Sequence, residues 1–505
     1  MKHLYVRKFS LCANLKKIVF LNFLFFNLII TAQNYPTAVT ISSIDYQNYQ
    51  APSQGIPDYL STITNEFGNE VTRISDKDVF GTDGQRLKHH YAKDQPWNSD
   101  GSLIKLAGYP AAILDGSTHE FLYWASIPSA ATWANTSPIH MYGTSGNTIV
   151  RYDVTTNNRV TLHTFSEYNK ISYGFNEGNM STDDRYIGLI GQNGSDLTLI
   201  VYDIANDLIT GTKHIGSSGD MDWFSVSPSG TYAVVSWRPD GSSSVEGLKV
   251  YNIDMTNERH VTDYTTHADL GTDANGDDVY VAFGDNDTRP DSYYLKMVRL
   301  SDGLLTPLFH YTTATGVWGG HISCRNTDRP GYAYVTESCC NTHGKREMFA
   351  IKLDGSNTIE RFGYHHSDKS AGYGHSPMGV PNRDGSKMMF GSNWEDSSIK
   401  SDSYPPAFIV QAPESSLNIE DETIATSNIK VYPNPSIDGI VNIKLNGSIV
   451  VKTIEVHDML GRVISTEEMS SNEKSLNLSG LPTGVYLLTF RTEKSGSITK
   501  RVVLN

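Results

Sequence analysis

The pattern of apolar and polar positions is set out most clearly from Gly219 to Asp254, GDMDWFSVSPSGTYAVVSWRPDGSSSVEGLKVYNID. A short apolar strand (Trp223 to Val226), a turn at Ser227-Pro228-Ser229-Gly230 and a second strand (Tyr232 to Trp237) are followed by a polar loop and a third strand, Leu248 to Ile253. Pro and Gly set the turn, and β-branched and aromatic residues fill the runs beside it. Such a unit cannot bury both of its faces alone and calls for neighbours of its own kind. Those neighbours are present. Turn-and-strand copies begin at Trp97 (WNSDGSLIKLAG), Met180 (MSTDDRYIGLIG), Asp273 (DANGDDVYVAFG) and Asn382 (NRDGSKMMFGSNW). A second series marks a later strand of each unit: VRYDVTTNN from Val150, IVYDIANDL from Ile200, KVYNIDMTN from Lys249, MVRLSDGLL from Met297 and AIKLDGSNT from Ala350. The spacing is about 50 residues, that of four-stranded propeller blades. The pattern predicts an all-β chain: a seven-bladed β-propeller over residues 34–412, with a strand from Asn34–Asp76 closing the ring on the last blade.

The pattern changes at both ends. Lys16 and Lys17 precede IVFLNFLFFNLII, an apolar run of 13 residues, and then Thr31-Ala32-Gln33. A basic flank, a run too short for a comfortable membrane span and small residues after it predict a signal peptide over residues 1–33. No later run is long enough to span, so no membrane span is expected in the mature chain. Residues 413–427 (PESSLNIEDETIATS from Pro413) read as a linker. Residues 428–505 alternate in short strands between Gly, Pro and Asn turns, the pattern of a small C-terminal β-sandwich.

Charge excludes one class of partner. The chain has 41 Lys and Arg against 55 Asp and Glu, a net −14. Without residues 1–33, which hold five Lys and Arg and no acid, the balance falls to −19. Nucleic-acid binding needs a basic surface, so no nucleic acid is expected as partner. An anionic ligand would have to be met by a local cluster of cations.

Two groups carry candidate chemistry. His321-Ile-Ser-Cys324 and Cys340-Asn-Thr-His343 make an HxxC and a CxxH, four ligands suited to a closed structural Zn²⁺. The alternative is a Cys339–Cys340 or Cys324–Cys339 disulfide with one free thiol. The second group is histidine. His267, His321 and His375 recur at the start of innermost-strand segments in three successive blades, so they are expected to face the central mouth. Arg238 and Arg289 stand where blade strands emerge. A convergence of His, Tyr and Arg suits β-elimination on a uronate: a base takes the C5 proton, an acid serves the C4 oxygen, and a positive group neutralises the carboxylate. A glycoside hydrolase would instead need paired carboxylates, for which Asp220, Asp222, Asp285 and Asp287 are available.

Two resemblances extend this reading. Tyr432-Pro433-Asn434-Pro435, Asp458-Met459-Leu460-Gly461-Arg462, Leu481-Pro482-Thr483-Gly484-Val485-Tyr486 and Lys500-Arg501 resemble the C-terminal sorting domain of type IX secretion. That implies export through the type IX machinery to the cell surface or medium. HHYAKDQPWNSDGSLI, GNMSTDDRYIGLIG, MDWFSVSPSGTYAVVSW, HADLGTD and GGHISCRN resemble the seven-bladed polysaccharide lyases, nearest the ulvan lyases and more distantly the oligogalacturonate lyases. The resemblance implies a secreted lyase acting on an anionic, uronate-containing, ulvan-like polysaccharide. It assigns His119, His140 and Arg238 to catalysis. The family tyrosine precedes that arginine on the same hairpin; here Asp222 and Trp223 stand nearby, and Tyr173 is the substitute. His267, His375 and Arg289 are expected to bind substrate. His321, Cys324, Cys340 and His343 are expected to hold the structural zinc. His321 and His375 are also candidates for a second divalent cation at the mouth, as in the pectin-type enzymes. The competing expectation is a non-catalytic propeller that binds glycans or scaffolds a surface complex.

Overall fold

A computed structural model describes residues 35–40, 54–82, 87–174, 177–217, 221–237, 247–263, 267–284, 294–310, 320–337, 346–368, 373–396, 405–413, 429–445, 451–458, 462–492 and 497–505. Among the described residues the repeat units fold as seven antiparallel sheets, the blades of a propeller. Blade 4 shows why. Trp223-Phe224-Ser225-Val226 lies in the innermost strand, Met221–Val226, and pairs with Tyr232–Trp237, which pairs with Gly247–Asn252 and then Arg259–Thr262. Between the first two strands Gly230 takes φ 72°, a left-handed conformation that a side chain would resist. The Ser227 hydroxyl accepts the Tyr232 N–H at 3.1 Å, so the turn satisfies its own backbone.

The innermost strands that matter below are Thr132–Trp133 in blade 2, Lys170–Tyr173 in blade 3, Ala268–Thr272 in blade 5, Gly320–Ser323 in blade 6 and Val380–Pro381 in blade 7. In blade 1, Leu103–Lys105, Ala111–Asp115 and Phe121–Ala125 form the sheet, and Trp97 bridges to Ile104 on its inner side. Between blades lie the apolar cores. Phe224, Val226, Val235 and Trp237 of blade 4, for example, pack on Ile190, Leu199 and Val201 of blade 3. Truncating a fully buried phenylalanine such as Phe224 would cost about 3–5 kcal/mol.

The ring closes by mixing the chain's two ends. Glu70–Arg73 pairs with Ala407–Gln411 of blade 7, and Thr62–Thr64 adds the outer edge. The expected closing strand is there, but it has company: Ala38–Thr40 adds a fifth strand to blade 6. Tyr35 just before it and Tyr332 sandwich the Arg329 guanidinium at 3.6 and 3.8 Å, while Glu360 accepts two hydrogen bonds from it at 2.7 and 2.8 Å. The C-terminal segment forms a three-stranded sheet (Ile429–Tyr432, Ile440–Leu445, Glu473–Asn477) and a four-stranded one (Val463–Glu468, Val451–His457, Gly484–Thr492, Ser497–Leu504). Their inner faces share one apolar core, as the alternating pattern predicts. No helix among the described residues is long and apolar enough to cross a membrane.

Candidate active site

Each innermost strand starts at one end of the ring, here called the mouth, and turns into its neighbour at the other. Antiparallel pairing therefore sets the starts of innermost strands beside the ends of second strands: Ala268 faces Ala282, and Gly320 faces Glu337. His267 stands immediately before Ala268, and His321 is the second residue of its strand.

The two imidazoles meet, with ring centroids 4.5 Å apart. What holds them is a segment that periodicity left unassigned, residues 88–95. Lys88 donates to the carbonyl of Ser376 at 2.6 Å and His89 bonds to that of Met378, both in blade 7. Tyr91 reaches His267 of blade 5 at 3.0 Å. Lys93 pairs with Glu177 of blade 3 at 3.1 Å and lies 4.2 Å over the Trp223 ring of blade 4. Gln95 donates to the carbonyls of Arg325 in blade 6 and Pro381 in blade 7, at 3.0 and 3.1 Å. A segment that touches five blades lies on the axis of the ring. It fills the channel, and Ala92, Lys93 and Asp94 are buried there.

Tyr91 packs edge-on against His321, with centroids 5.4 Å apart, and its phenol feels that of Tyr373 electrostatically. Tyr373 opens a short 3-10 turn, Tyr373–His375, before the innermost strand of blade 7, and its hydroxyl lies 3.5 Å from His321 Nε2. Tyr373 is 63% exposed, so the cluster opens to solvent there. Burial pushes the Tyr91 hydroxyl far above its usual pKa, and Glu177 and Asp222 add to the effect. Burial raises Tyr373 as well. Both phenols are neutral proton donors at ordinary pH.

The structure separates the residues assigned from sequence into distinct places. His267 and His321 come together at the mouth. His375 follows in the same turn as Tyr373, fully buried, with its carbonyl accepting the Ser367 hydroxyl. His119 and His140 lie at the opposite end of the sheets. His119, φ 62°, sits in the turn between the last two strands of blade 1, and burial lowers its pKa to about 4. His140 begins the second strand of blade 2 and bonds Ser137 at 2.9 Å. The structure does not bring either to the mouth. Tyr173 is buried in the core between blades 2 and 3, its hydroxyl without a hydrogen-bond partner among the described residues. Arg238, Arg289, Cys339, Cys340 and His343 lie outside the described residues, as do Asp220, Asp285 and Asp287. Arg238 follows directly on Trp237, which pairs with Met221 at the mouth end.

The HxxC half of the zinc reading needs correction. His321 and Cys324 lie along one extended segment, where residues three apart face opposite sides about 10 Å from each other. His321 accordingly packs on Tyr91 and His267, while Cys324 is buried in the apolar core between blades 5 and 6. These two side chains do not converge on one ion. Among the described residues no three His, Cys, Asp or Glu gather as a metal site.

Sequence reasoning missed Tyr91, Lys93, Glu177 and Tyr373. The one signal was an aromatic and charged run, HHYAKDQPW from His89, standing where the repeat offers no counterpart.

Comparison with known proteins agrees with the architecture. An oligogalacturonate lyase in complex with manganese superposes with TM-score 0.53 and 13% identity, over 72% of this chain and 99% of its own. An oligogalacturonate lyase from Vibrio parahaemolyticus gives TM-score 0.50 and 12% identity, over 76% and 100%. Such identities establish a shared fold and nothing finer. PorZ, a surface component of the type IX secretion system of Porphyromonas gingivalis, matches at TM-score 0.35 and 14% identity over 91% of this chain and 60% of its own, too loosely to carry an argument. No curated protein is similar to the chain in sequence. Residues 430–505 match the family model of the secretion system C-terminal sorting domain, so the chain ends in a type IX tail and is exported to the cell surface or released.

Proposed function

We propose that this exported propeller is a polysaccharide lyase that cleaves a uronate-containing glycan by β-elimination at the mouth. The observation that carries the reading is the cluster at the mouth in which His267 bonds Tyr91 at 3.0 Å, with His321 and Tyr373 beside them and solvent access at Tyr373. The bond to the Tyr91 hydroxyl is made by His267 Nδ1; in the tautomer with its proton on Nδ1, Nε2 is the basic nitrogen. His267 Nε2 takes the C5 proton, the C4–O4 bond breaks as the C4–C5 double bond forms, and the Tyr373 hydroxyl protonates the departing oxygen. The carboxylate on C5 must be neutralised while charge builds there, since otherwise the carbanion-like state is too high in energy. Arg238 is the proposed counter-charge, by its sequence position after Trp237.

The oligogalacturonate lyase that shares this fold was solved with manganese. A divalent cation here would draw on the ring nitrogens of His267 and His321. Among the described residues no third His, Cys, Asp or Glu completes a set around them, so no step is routed through a metal. A second reading has its own observation. Glu177 and Asp222 are both close enough to Tyr91 and Tyr373 to raise their pKa, and paired carboxylates at a mouth suit glycoside hydrolysis. Lys93 already neutralises Glu177, which favours elimination.

The test is an assay of the mature chain on pectate, ulvan, alginate and their oligomers, following ultraviolet absorbance of the unsaturated uronate alongside new reducing ends. Both signals rising together support the lyase. Reducing ends without unsaturation would give the hydrolase, and neither signal with measurable glycan binding would give the non-catalytic propeller.

A further inference from the structure

At the end of the ring away from the mouth, a cleft of about 280 Å³ opens between the first turns of blades 6, 7 and 1. Its walls are Asp328, the Asn382-Arg383-Asp384 turn with Lys387, and the Trp97–Gly101 turn closed by Gly116 and Ser117. The two turns of blade 1 touch there: a side chain on Gly116 would lie 1.8 Å from the Gly101 carbonyl oxygen. The cleft thus has a fixed backbone edge.

Its chemistry is mixed. Three carboxylates, one guanidinium and one ammonium face a volume at the small end of the ~300–1,000 Å³ typical of ligand pockets. Asp100 and Asp384 each use one oxygen on a turn amide, that of Ser102 at 3.0 Å and that of Ser386 at 2.8 Å. Asp100 Oδ1 also accepts the Ser102 hydroxyl at 2.6 Å, while the second oxygen of Asp384 has no hydrogen-bond partner among the described residues. Asp328 is 57% exposed and lies 3.7 Å from Arg383. The Lys387 ammonium has no hydrogen-bond or ion-pair partner among the described residues. Donors and acceptors of both signs around one cleft suit a ring carrying several hydroxyls. Each hydroxyl can donate to a carboxylate and accept from a cation. A uronate would add charge to a site that already has an excess of carboxylates.

We infer that this cleft is a second glycan site, taking one neutral, hydroxyl-rich saccharide unit and holding polymer on the face opposite the mouth. It does not depend on the lyase reading. Saturation-transfer NMR on the mature chain, with galactose, xylose and rhamnose as separate probes and galacturonate as the anionic control, tests it. At least one neutral sugar should receive saturation. Lys387→Ala should weaken its binding roughly tenfold through loss of a charged hydrogen bond. Ser117→Trp, on an exposed turn, should fill the cleft and abolish binding while the mouth keeps its activity. Absence of transfer to every neutral sugar, preference for galacturonate, or undiminished binding in both variants would overturn the inference. So would calcium alone protecting the chain against heat with no sugar effect, which would make the carboxylates a cation site.

Discussion

The two ends of the ring use polar side chains in opposite ways. Away from the mouth they tie blade to blade. Asp184 of blade 3 accepts from the amides of Asn135 and Thr136 in blade 2, both at 2.7 Å, and from the Thr136 hydroxyl. Asp278 of blade 5 repeats the arrangement on Ser229 of blade 4. Asn98 of blade 1 donates to the Pro138 carbonyl at 2.9 Å, and the Asp328 amide of blade 6 to that of Arg383 in blade 7 at 3.0 Å. At the mouth, polar groups meet across the axis instead: Tyr91 of the central segment with His267, and Lys93 with Glu177. One end closes the ring through bonds between neighbours. The other gathers titratable groups that neighbours alone could not bring together, and the segment on the axis makes this possible.

That contrast is broken most directly at His267. His267→Ala should lower turnover about 10²–10⁴-fold by removing the proton acceptor, with stability lowered only by the loss of one bond to Tyr91, about 1–3 kcal/mol. Initial rates and a melting curve on the same sample check both halves. Full activity in this variant would move the chemistry away from the mouth.

Asp184→Ala should do the reverse. It strips a buried carboxylate from three donors, and leaving those unmet costs about 3 kcal/mol in all. Urea denaturation should show that loss while kcat per folded molecule stays within roughly twofold.

How much of this was written in the sequence divides along the same line. The far end was legible because its turns repeat: Ser227-Pro228-Ser229-Gly230 and its copies announce both the turn and its spacing. The start of each innermost strand was legible too, and so were His267 and His321 as neighbours. The axial segment was not. A run such as HHYAKDQPW has no period, and its partners lie in blades 3 to 7, far along the chain. His119 and His140 stood out beside apolar runs and through the resemblance to the lyases, yet both lie at the end away from the mouth, His119 in a turn and His140 at the start of a second strand. Periodicity marks a residue's place in a strand. Which end of the ring that place faces depends on strand order and direction.

Acid should expose a third difference. His89, His365 and His119 are held neutral by burial, with pKa values lowered to about 3, about 3 and about 4. The unfolded chain binds these protons near pH 6.5 and the folded chain does not. Stability is therefore complete above that value and is lost as pH falls toward the folded-state values, by up to ~1.4 kcal/mol per pH unit for each histidine. His119→Gln should flatten the fall between about pH 6.5 and 4 by roughly one proton. Because it lies away from the mouth, the pH dependence of turnover should not move. A shift in that activity profile would tie His119 to the chemistry after all.

The smallest expected effect tests Cys324, three positions from His321 in the same extended segment. As a core residue it should behave like a small apolar group: Cys324→Ala removes one sulfur beside Gly271 and costs about 1 kcal/mol. Its thiol pKa is driven well above the ordinary value by burial first and by the Asp269 carboxylate second, so without an ion it stays a neutral thiol. Asp269 is itself occupied by the Cys324 amide at 2.7 Å and the Arg325 guanidinium at 3.0 Å, so the backbone around the thiol is fixed without an ion. A chelator should then lower the melting temperature of the wild type and of Cys324→Ala by the same amount, zero included. A chelator effect present in the wild type and absent from the variant would restore Cys324 as a zinc ligand, and would require the segment from His321 to Cys324 to bend out of its strand.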